Sequence, residues 1–87
     1  MPSILHLNLR REYFAKIASK TKRVETRERK PYWKKRLEGR HYDVIKFRNG
    51  YAKNAPEMLV EFRGLTKRRR NYEIQLGRIL RIKRWKR

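Results

Sequence analysis

The chain of 87 residues contains no cysteine and only two histidines, His6 and His41. The lack of cysteine excludes a disulfide scaffold, thiol catalysis and a cysteine-based zinc site, and two histidines by themselves are too few to hold zinc. No apolar run is long enough to span a bilayer, and the N-terminal segment has no uninterrupted apolar core of the kind that a signal peptide needs. These absences predict a cytoplasmic protein with no metal, no other cofactor and no membrane partner.

Acidic residues are also scarce, since 8 Asp and Glu stand against 27 Lys and Arg, which gives a formal net charge of +19. With 38% hydrophobic residues, we expect one small monomeric domain over residues 1–87, with a basic C-terminal segment from about residue 66. Ordinary surfaces intersperse both signs of charge, and self-repulsion opposes compaction. The composition therefore predicts a polyanionic partner, and nucleic acid fits, although composition does not distinguish RNA from DNA.

Apolar and polar residues alternate along most of the chain, which indicates short β-strands. Strands are predicted at residues 3–9, 23–28, 42–49, 58–65 and 72–76, with a last one at 78–85 beyond a break at Gly77. Short helices are predicted at 10–20, where Phe14 and Ile17 form a stripe, and at 31–37, between Pro31 and a stop at Gly39. Five or six strands in so short a chain favour closure, because an open sheet leaves unpaired edges. The pattern predicts an α+β fold, a small β-barrel with two short helices.

Cations run through the whole chain, from Arg10 and Arg11 to the segment 81–87, and aromatic residues lie among them. Such a mixture is typical of proteins that hold phosphates with cations and stack unpaired bases on rings. Trp33 is expected to lie partly in the core, whereas Tyr51 is the better stacking candidate because it follows a turn. For Tyr32, Tyr72 and Trp85, core packing and base stacking are both open. The candidate nucleic-acid-binding residues are Lys20, Lys22, Arg27, Arg29, Lys30, Trp33, Arg36, Arg48, Asn49, Tyr51, Arg63, Lys67, Arg68 and Arg69.

Lys22, Glu25 and Arg27 form the pattern K-x-x-E-x-R, directly after the first helix and at the start of the second strand. Glu25 and Arg27 share one strand face, and Lys22 in the preceding turn can reach the same pocket mouth. A carboxylate held between cations is a poor general acid, but it can orient a lysine, accept a proton or hold the amino group of a base. If the site is catalytic, Lys22 and Glu25 are the candidate catalytic residues. The alternative is a structural ion pair.

The run K-T-K-R-V-E-T-R at residues 20–27 resembles the G-x-K-x-x-E-x-R signature of ASCH domains, the activating signal cointegrator homology group with a PUA-like barrel. Lys20 stands where the signature has glycine. The resemblance, to the compact bacterial and phage members, extends from Ile4 to about Gly64 through PYWKKRL at 31–37, YDVIKFRNGY at 42–51 and VEFRG at 60–64. It implies a PUA-like barrel of five to six strands, with a cleft that the signature residues line and that suits RNA or a nucleoside.

The resemblance implies an RNA-binding domain whose basic cleft surrounds the motif. Some members of the family look like enzymes, so the alternative is a hydrolase that acts on RNA or a modified nucleoside, either an N4-acetylcytidine amidohydrolase or a ribonuclease. The amidohydrolase branch uses a lysine, a threonine and a glutamate. Lys22 matches the lysine, but Glu25 occupies the threonine position, and Thr26 is expected to face away from Glu25 along the strand. Composition alone also supports a structural ribonucleoprotein component, and a membrane-surface role is the most distant alternative.

Overall fold

The computed structural model of the chain describes residues 2–85, in which five strands and two helices follow one another. They are β1 (Ile4–Asn8), α1 (Arg11–Ala18), β2 (Val24–Glu28), α2 (Pro31–Leu37), β3 (Val44–Arg48), β4 (Glu57–Lys67) and β5 (Asn71–Lys83). The predicted α+β class and the two short helices are confirmed. In residues 2–85 no helix has the length and hydropathy needed to cross a membrane. Lys86 and Arg87, the end of the predicted basic segment, lie outside the described residues, as does Met1.

The five strands form one sheet in the order β1-β3-β4-β5-β2, curled like half a barrel. β1 pairs with β3 in parallel, and the other neighbours are antiparallel. β1 and β2 are the two edges of the sheet. A side chain links these edges, because Arg27 Nη2 on β2 donates a hydrogen bond of 3.3 Å to the carbonyl of Asn8 on β1. The barrel prediction is therefore confirmed only in part, because the sheet is curled like half a barrel but remains open, with the motif strand β2 at one of its edges.

β5 continues through Gly77, where the sequence predicted a break, so the sheet has five strands and not six. The pairing of β4 with β5 shifts register between Leu59 and Gly64, and such bulges bend a strand and increase its twist. A Cβ atom at Gly77 would lie 2.8 Å from the Cβ of Glu61. Glycine at this position therefore allows a close approach of the two strands. Gly77 therefore lies at a bulge inside β5 and does not end the strand.

The hydrophobic core lies between the sheet and the two helices. The alternation predicted for β1 is confirmed, since Leu5 and Leu7 are buried while His6 is exposed. Trp33 is partly buried against the core, as predicted. The side chains that are fully buried are Leu5, Phe14, Ile45, Phe47, Met58, Val60, Tyr72 and Ile74.

Two of the rings considered for base stacking are used in packing instead. Tyr72 is fully buried, and its hydroxyl donates a hydrogen bond to Glu38. Trp85 packs on Phe14 with 4.8 Å between ring centroids, and the guanidinium carbon of Arg11 lies 4.7 Å from the Trp85 ring. For both residues the core-packing alternative therefore holds.

Candidate nucleic-acid interface

β2 points two charged side chains toward the core side of the sheet. Glu25 is paired with Ile74 and Arg27 with Tyr72 on β5, and both of these partners are fully buried. Directly opposed residues of neighbouring strands point to the same face of a sheet. Glu25 and Arg27 therefore share the inner face, as the sequence predicted, and Thr26 between them is exposed.

Lys22 reaches the same place because α1 ends in a tight turn. Lys20 adopts the left-handed conformation, with a φ of +67°, at the position where the ASCH signature has glycine. The backbone N–H groups of Thr21 and Lys22 both donate to the carbonyl of Lys16, at 3.0 and 3.1 Å. The turn therefore forms without glycine, and it places Lys22 Nζ 3.5 Å from Glu25 Oε1.

Glu25 is a nearly buried carboxylate held by two cations. Its side chain is 7% exposed, and its Oε2 lies 2.8 Å from Arg27 Nη2. The guanidinium of Arg27 also lies against Trp33, with 4.9 Å from its central carbon to the ring centroid. A buried charge needs such partners, because water no longer solvates it. The predicted arrangement of one carboxylate between Lys22 and Arg27 is thus present.

These residues line a cavity of about 520 Å³, which we call the motif cavity. Small-molecule sites commonly occupy about 300–1,000 Å³, so the motif cavity has the volume of such a site. Two rings border the cavity, Trp33 and Tyr13, and Lys22 Nζ lies 5.6 Å from the Tyr13 ring centroid. The other lining residues include Asn8, Arg10, Thr26, Glu28 and Lys30.

A second cavity of about 440 Å³ adjoins the first, and we call it the α2 cavity. The two cavities share Asn8, Arg27 and Trp33. Arg36 of α2 forms part of the wall of the α2 cavity and links α2 to β1. Its guanidinium donates to the hydroxyl of Tyr32 at 2.7 Å and to the carbonyl of His6 on β1 at 3.3 Å. The remaining polar and aromatic lining residues are Lys46, Arg48 and Tyr51.

The structure brings about half of the predicted binding residues to these two cavities. Lys22, Arg27, Lys30 and Trp33 line the motif cavity beside Glu25. The α2 cavity takes three further predicted residues, namely Arg36, Arg48 and Tyr51.

The other predicted residues lie elsewhere. Lys20 lines a smaller cavity of about 200 Å³, and Asn49 Nδ2 donates to the carbonyl of Leu9, which ties a turn to the end of β1. Arg63 lies 3.6 Å from Glu61 on β4. Lys67, Arg68 and Arg69 belong to a basic turn, residues 67–70, that joins β4 to β5, and Lys67 and Arg68 form ion pairs there with Glu38 and Glu73. Arg29, just after β2, contacts this turn by donating to the carbonyls of Arg68 and Arg69.

The sequence did not point to His6, Asn8, Tyr13 and Lys46, although they line the cavities, and it left Tyr32, which lines the α2 cavity, open between core packing and base stacking. The polar residues of β1 gave a signal, since His6 and Asn8 interrupt an apolar strand. Their partners become visible only through the parallel pairing of β1 with β3, which sets His6 beside Lys46 and Asn8 beside Arg48.

The carboxylates with shifted pKa values lie outside both cavities. The hydrogen bond from Tyr72 lowers the pKa of Glu38, and the nearby Lys67 adds to that effect. The backbone N–H of Arg78, which donates to Glu61 at 2.9 Å, lowers the pKa of Glu61. Both carboxylates therefore serve the sheet and the basic turn, not the candidate site.

Hydroxyl and metal chemistry have little support at the motif cavity. Thr26 contributes to the cavity wall, but its side chain alternates with that of Glu25 along β2 and points to the other strand face. The hydroxyl of Thr21 donates to the carbonyl of Lys16 at 3.1 Å. Across the described part of the chain, no three histidine or acidic side chains come together as metal ligands. The arrangement suits the recognition of a polar, anionic ligand better than nucleophilic attack on it.

Comparisons of the chain with protein-family models, with curated proteins and with solved structures find no match. The similarity to ASCH domains therefore rests on the residues of the sequence, and the use of the site has to be inferred from its geometry.

Proposed function

We propose that this chain is an RNA-binding domain of the ASCH type, with a PUA-like fold, and that it holds one unpaired nucleotide in the motif cavity. The observation that carries the proposal is the nearly buried Glu25 carboxylate, which Arg27 holds at 2.8 Å in the wall of a 520 Å³ cavity. Buried ion pairs are weak contributors to stability compared with apolar packing. Their presence at an open cavity is better explained by recognition than by folding.

Glu25 supplies the base readout in this proposal. An ionised carboxylate only accepts hydrogen bonds, so it pairs with the exocyclic amino groups of cytosine, adenine and guanine. Uracil has no such group. We therefore expect the motif cavity to prefer an amino-bearing base over uracil.

The rings and cations around Glu25 supply the rest of the nucleotide site. Tyr13 is 40% exposed and offers ring surface to a base, and Arg10, Lys22 and Lys30 offer positive charge to its phosphates. Trp33 also borders the cavity, with the guanidiniums of Arg27 and Arg36 over its ring. Recognition of unpaired RNA generally combines base stacking with hydrogen bonds to base edges and phosphate contacts. The net charge of +19 adds long-range attraction for the strand.

The geometry favours binding over hydrolysis. An amidohydrolase needs an activated nucleophile, and Glu25 occupies the position where the threonine of that branch is expected. Thr26 contributes to the cavity wall, but its side chain lies on the other strand face from Glu25. Lys22 is ion-paired with Glu25 at 3.5 Å, so it suits anion binding better than proton abstraction. Incubation of the protein with N4-acetylcytidine should leave the acetyl group in place, and loss of that group in the wild type but not in Lys22→Ala would replace the binding proposal with catalysis.

The binding test uses fluorescence anisotropy with labelled single-stranded RNA oligomers that differ only in one central base. Wild type should bind the oligomers with cytosine, adenine or guanine more tightly than the one with uracil. Glu25→Gln should weaken that preference, because an amide both donates and accepts. Glu12→Gln is the matched control, since it removes the same charge from an exposed residue in the first turn of α1. Equal base preference in Glu25→Gln and Glu12→Gln would overturn the assignment of Glu25.

Salt dependence tests the phosphate contacts. Each neutralised phosphate of a single strand contributes a slope of about −0.7 to log K against log salt. Replacement of the basic turn, residues 67–70, by alanine should reduce this slope without changing the base preference, because its cations lie outside both cavities. An unchanged slope would remove the turn from the interface, and equal affinity for matching DNA oligomers would overturn the choice of RNA.

A further inference from the structure

The α2 cavity has a charge composition that differs from that of the motif cavity. Four cations, Arg27, Arg36, Lys46 and Arg48, line it, and among its lining residues that the structure describes none is acidic. The motif cavity, in contrast, contains Glu25 and Glu28. The α2 cavity therefore suits an anion, and it offers no carboxylate with which to read a base edge.

Two buried donors point to an anion between Arg27 and Arg48. In residues 2–85, the buried side-chain nitrogens without a hydrogen-bond partner are Arg27 Nε and Arg48 Nε. Arg48 Nε forms an ion pair with Glu57 Oε1 at 3.5 Å, although this distance is too long for a hydrogen bond. Buried donors without a hydrogen bond are rare in proteins, and a bound group is one explanation for them. Both guanidiniums line the α2 cavity, so a phosphate bound there offers acceptors to them.

Exposed rings lie at the same cavity. The side chain of Tyr51 is 89% exposed, and that of Tyr32 is 58% exposed. Every base has a face that stacks on an exposed ring, so such a ring can hold a base with little sequence preference. Tyr51 follows the turn after β3, beside Arg48, so a base on this ring can keep its phosphate near the arginines.

Arg27 and Trp33 join the two cavities. Arg27 holds Glu25 and the Asn8 carbonyl with one nitrogen, and it lines both cavities. Trp33 lies under two guanidiniums, with 4.9 Å from its ring centroid to Arg27 and 5.6 Å to Arg36. A strand whose base enters the motif cavity therefore meets the α2 cavity within the reach of one neighbouring nucleotide.

We propose that the α2 cavity is a subsite for the nucleotide adjacent to the one in the motif cavity, so that the minimal ligand is a single-stranded dinucleotide. The phosphate between the two nucleotides lies at Arg27 and Arg48, and the second base stacks on Tyr51 without base readout. This inference rests on the proposed function and extends it to the length and shape of the ligand.

The test compares cytidine monophosphate with the dinucleotides CpA and CpU, by NMR titration of the labelled full chain. The wild type should bind either dinucleotide at least about fivefold more tightly than the mononucleotide, because stacking on a ring adds at least that much affinity. Tyr51→Ala should remove this gain and leave the mononucleotide affinity unchanged. Lys46→Gln should also weaken dinucleotide binding, whereas Lys53→Gln, which removes the same charge from an exposed residue outside the cavity, should not.

The outcomes separate this inference from the proposed function. If the wild type binds cytidine monophosphate and the dinucleotides equally well, the second subsite is refuted while the nucleotide site at Glu25 stands. If Tyr51→Ala weakens the mononucleotide as much as the dinucleotides, Tyr51 belongs to the first site and the inference again fails. If none of the three ligands binds, both the subsite and the proposed nucleotide pocket are overturned.

Discussion

Replacement of Arg27 by methionine should strongly destabilise the fold, because it leaves Glu25 buried with only one cation. Removing one partner of a buried pair costs about 3–5 kcal/mol. Lys22 remains 3.5 Å from Glu25, and the Arg27 side chain is 18% exposed, so we take about 2 kcal/mol for this contribution. The lost hydrogen bond to the Asn8 carbonyl adds about 1 kcal/mol, and the lost contact with Trp33 adds about 0.5 kcal/mol.

The sum is a loss of about 3.5 kcal/mol, from a total that is roughly 4–13 kcal/mol for a domain of this length. The melting temperature should fall by about 14–28 °C. Urea denaturation is the suitable assay, because guanidinium salts screen the charges in question. Arg23→Met is the control, since Arg23 is exposed directly before the same strand and should change stability by less than about 0.5 kcal/mol.

A double variant shows whether the buried charge is the cause. Glu25→Gln in the Arg27→Met background removes the unpaired carboxylate and should restore part of the loss. The reasoning is refuted if Arg27→Met behaves like Arg23→Met. It is also refuted if the double variant is no more stable than Arg27→Met alone.

Three further predictions concern the turn after α1, the bulge at Gly77 and the loss of stability at low pH. Lys20→Gly should stabilise the chain by up to about 1 kcal/mol, because glycine adopts a φ of +67° without steric strain. The larger conformational entropy of glycine in the unfolded chain offsets only part of this gain. A loss of stability in urea would contradict this. Gly77→Ala should destabilise it by about 1–3 kcal/mol, because the new Cβ meets Glu61 at 2.8 Å; a change below about 0.5 kcal/mol in urea would show that β4 and β5 are not so close. The pKa of Glu38 is lowered in the fold, mainly by Tyr72, so its contribution is present above its unfolded pKa and is lost as pH falls through the folded pKa. Tyr72→Phe should therefore flatten the loss of stability with acid, measured as melting temperature from pH 6 downward, and an unchanged pH profile would contradict the assigned cause.

The inner face of β2 explains why a charged motif can sit within a core-forming sheet. Most inward positions are apolar, but β2 contributes Glu25 and Arg27, each opposite a buried residue of β5. A strand that breaks the local rule in this way lowers stability unless the charges pair, and such exceptions concentrate at functional sites. The edge position of β2 leaves room for the exception, because one side of the strand faces a cavity and not another strand.

Several parts of the fold and the site follow from local sequence alone. Alternation in β1 predicts the buried Leu5 and Leu7, and period-2 geometry predicts that Glu25 and Arg27 share a face while Thr26 does not. Gly39 ends α2 in the left-handed region, with a φ of +71°, as its position predicted. These features depend on backbone sterics and on side-chain direction within a few residues. The sequence of each short segment is therefore enough to predict them.

The tertiary structure alone decided which strands are neighbours and which side chains meet. The parallel pairing of β1 with β3 sets Lys46 beside His6, and the curl of the sheet brings Arg27 to the Asn8 carbonyl of the opposite edge. No local pattern encodes strand order or register, and both depend on which arrangement buries the most apolar surface with satisfied hydrogen bonds. For the same reason Arg63 and Lys67, which have the same charge and chemistry as the residues at the cavities, lie away from them. The sequence alone determines which cationic and aromatic residues the chain contains. Long-range packing determines which of them come together at a site.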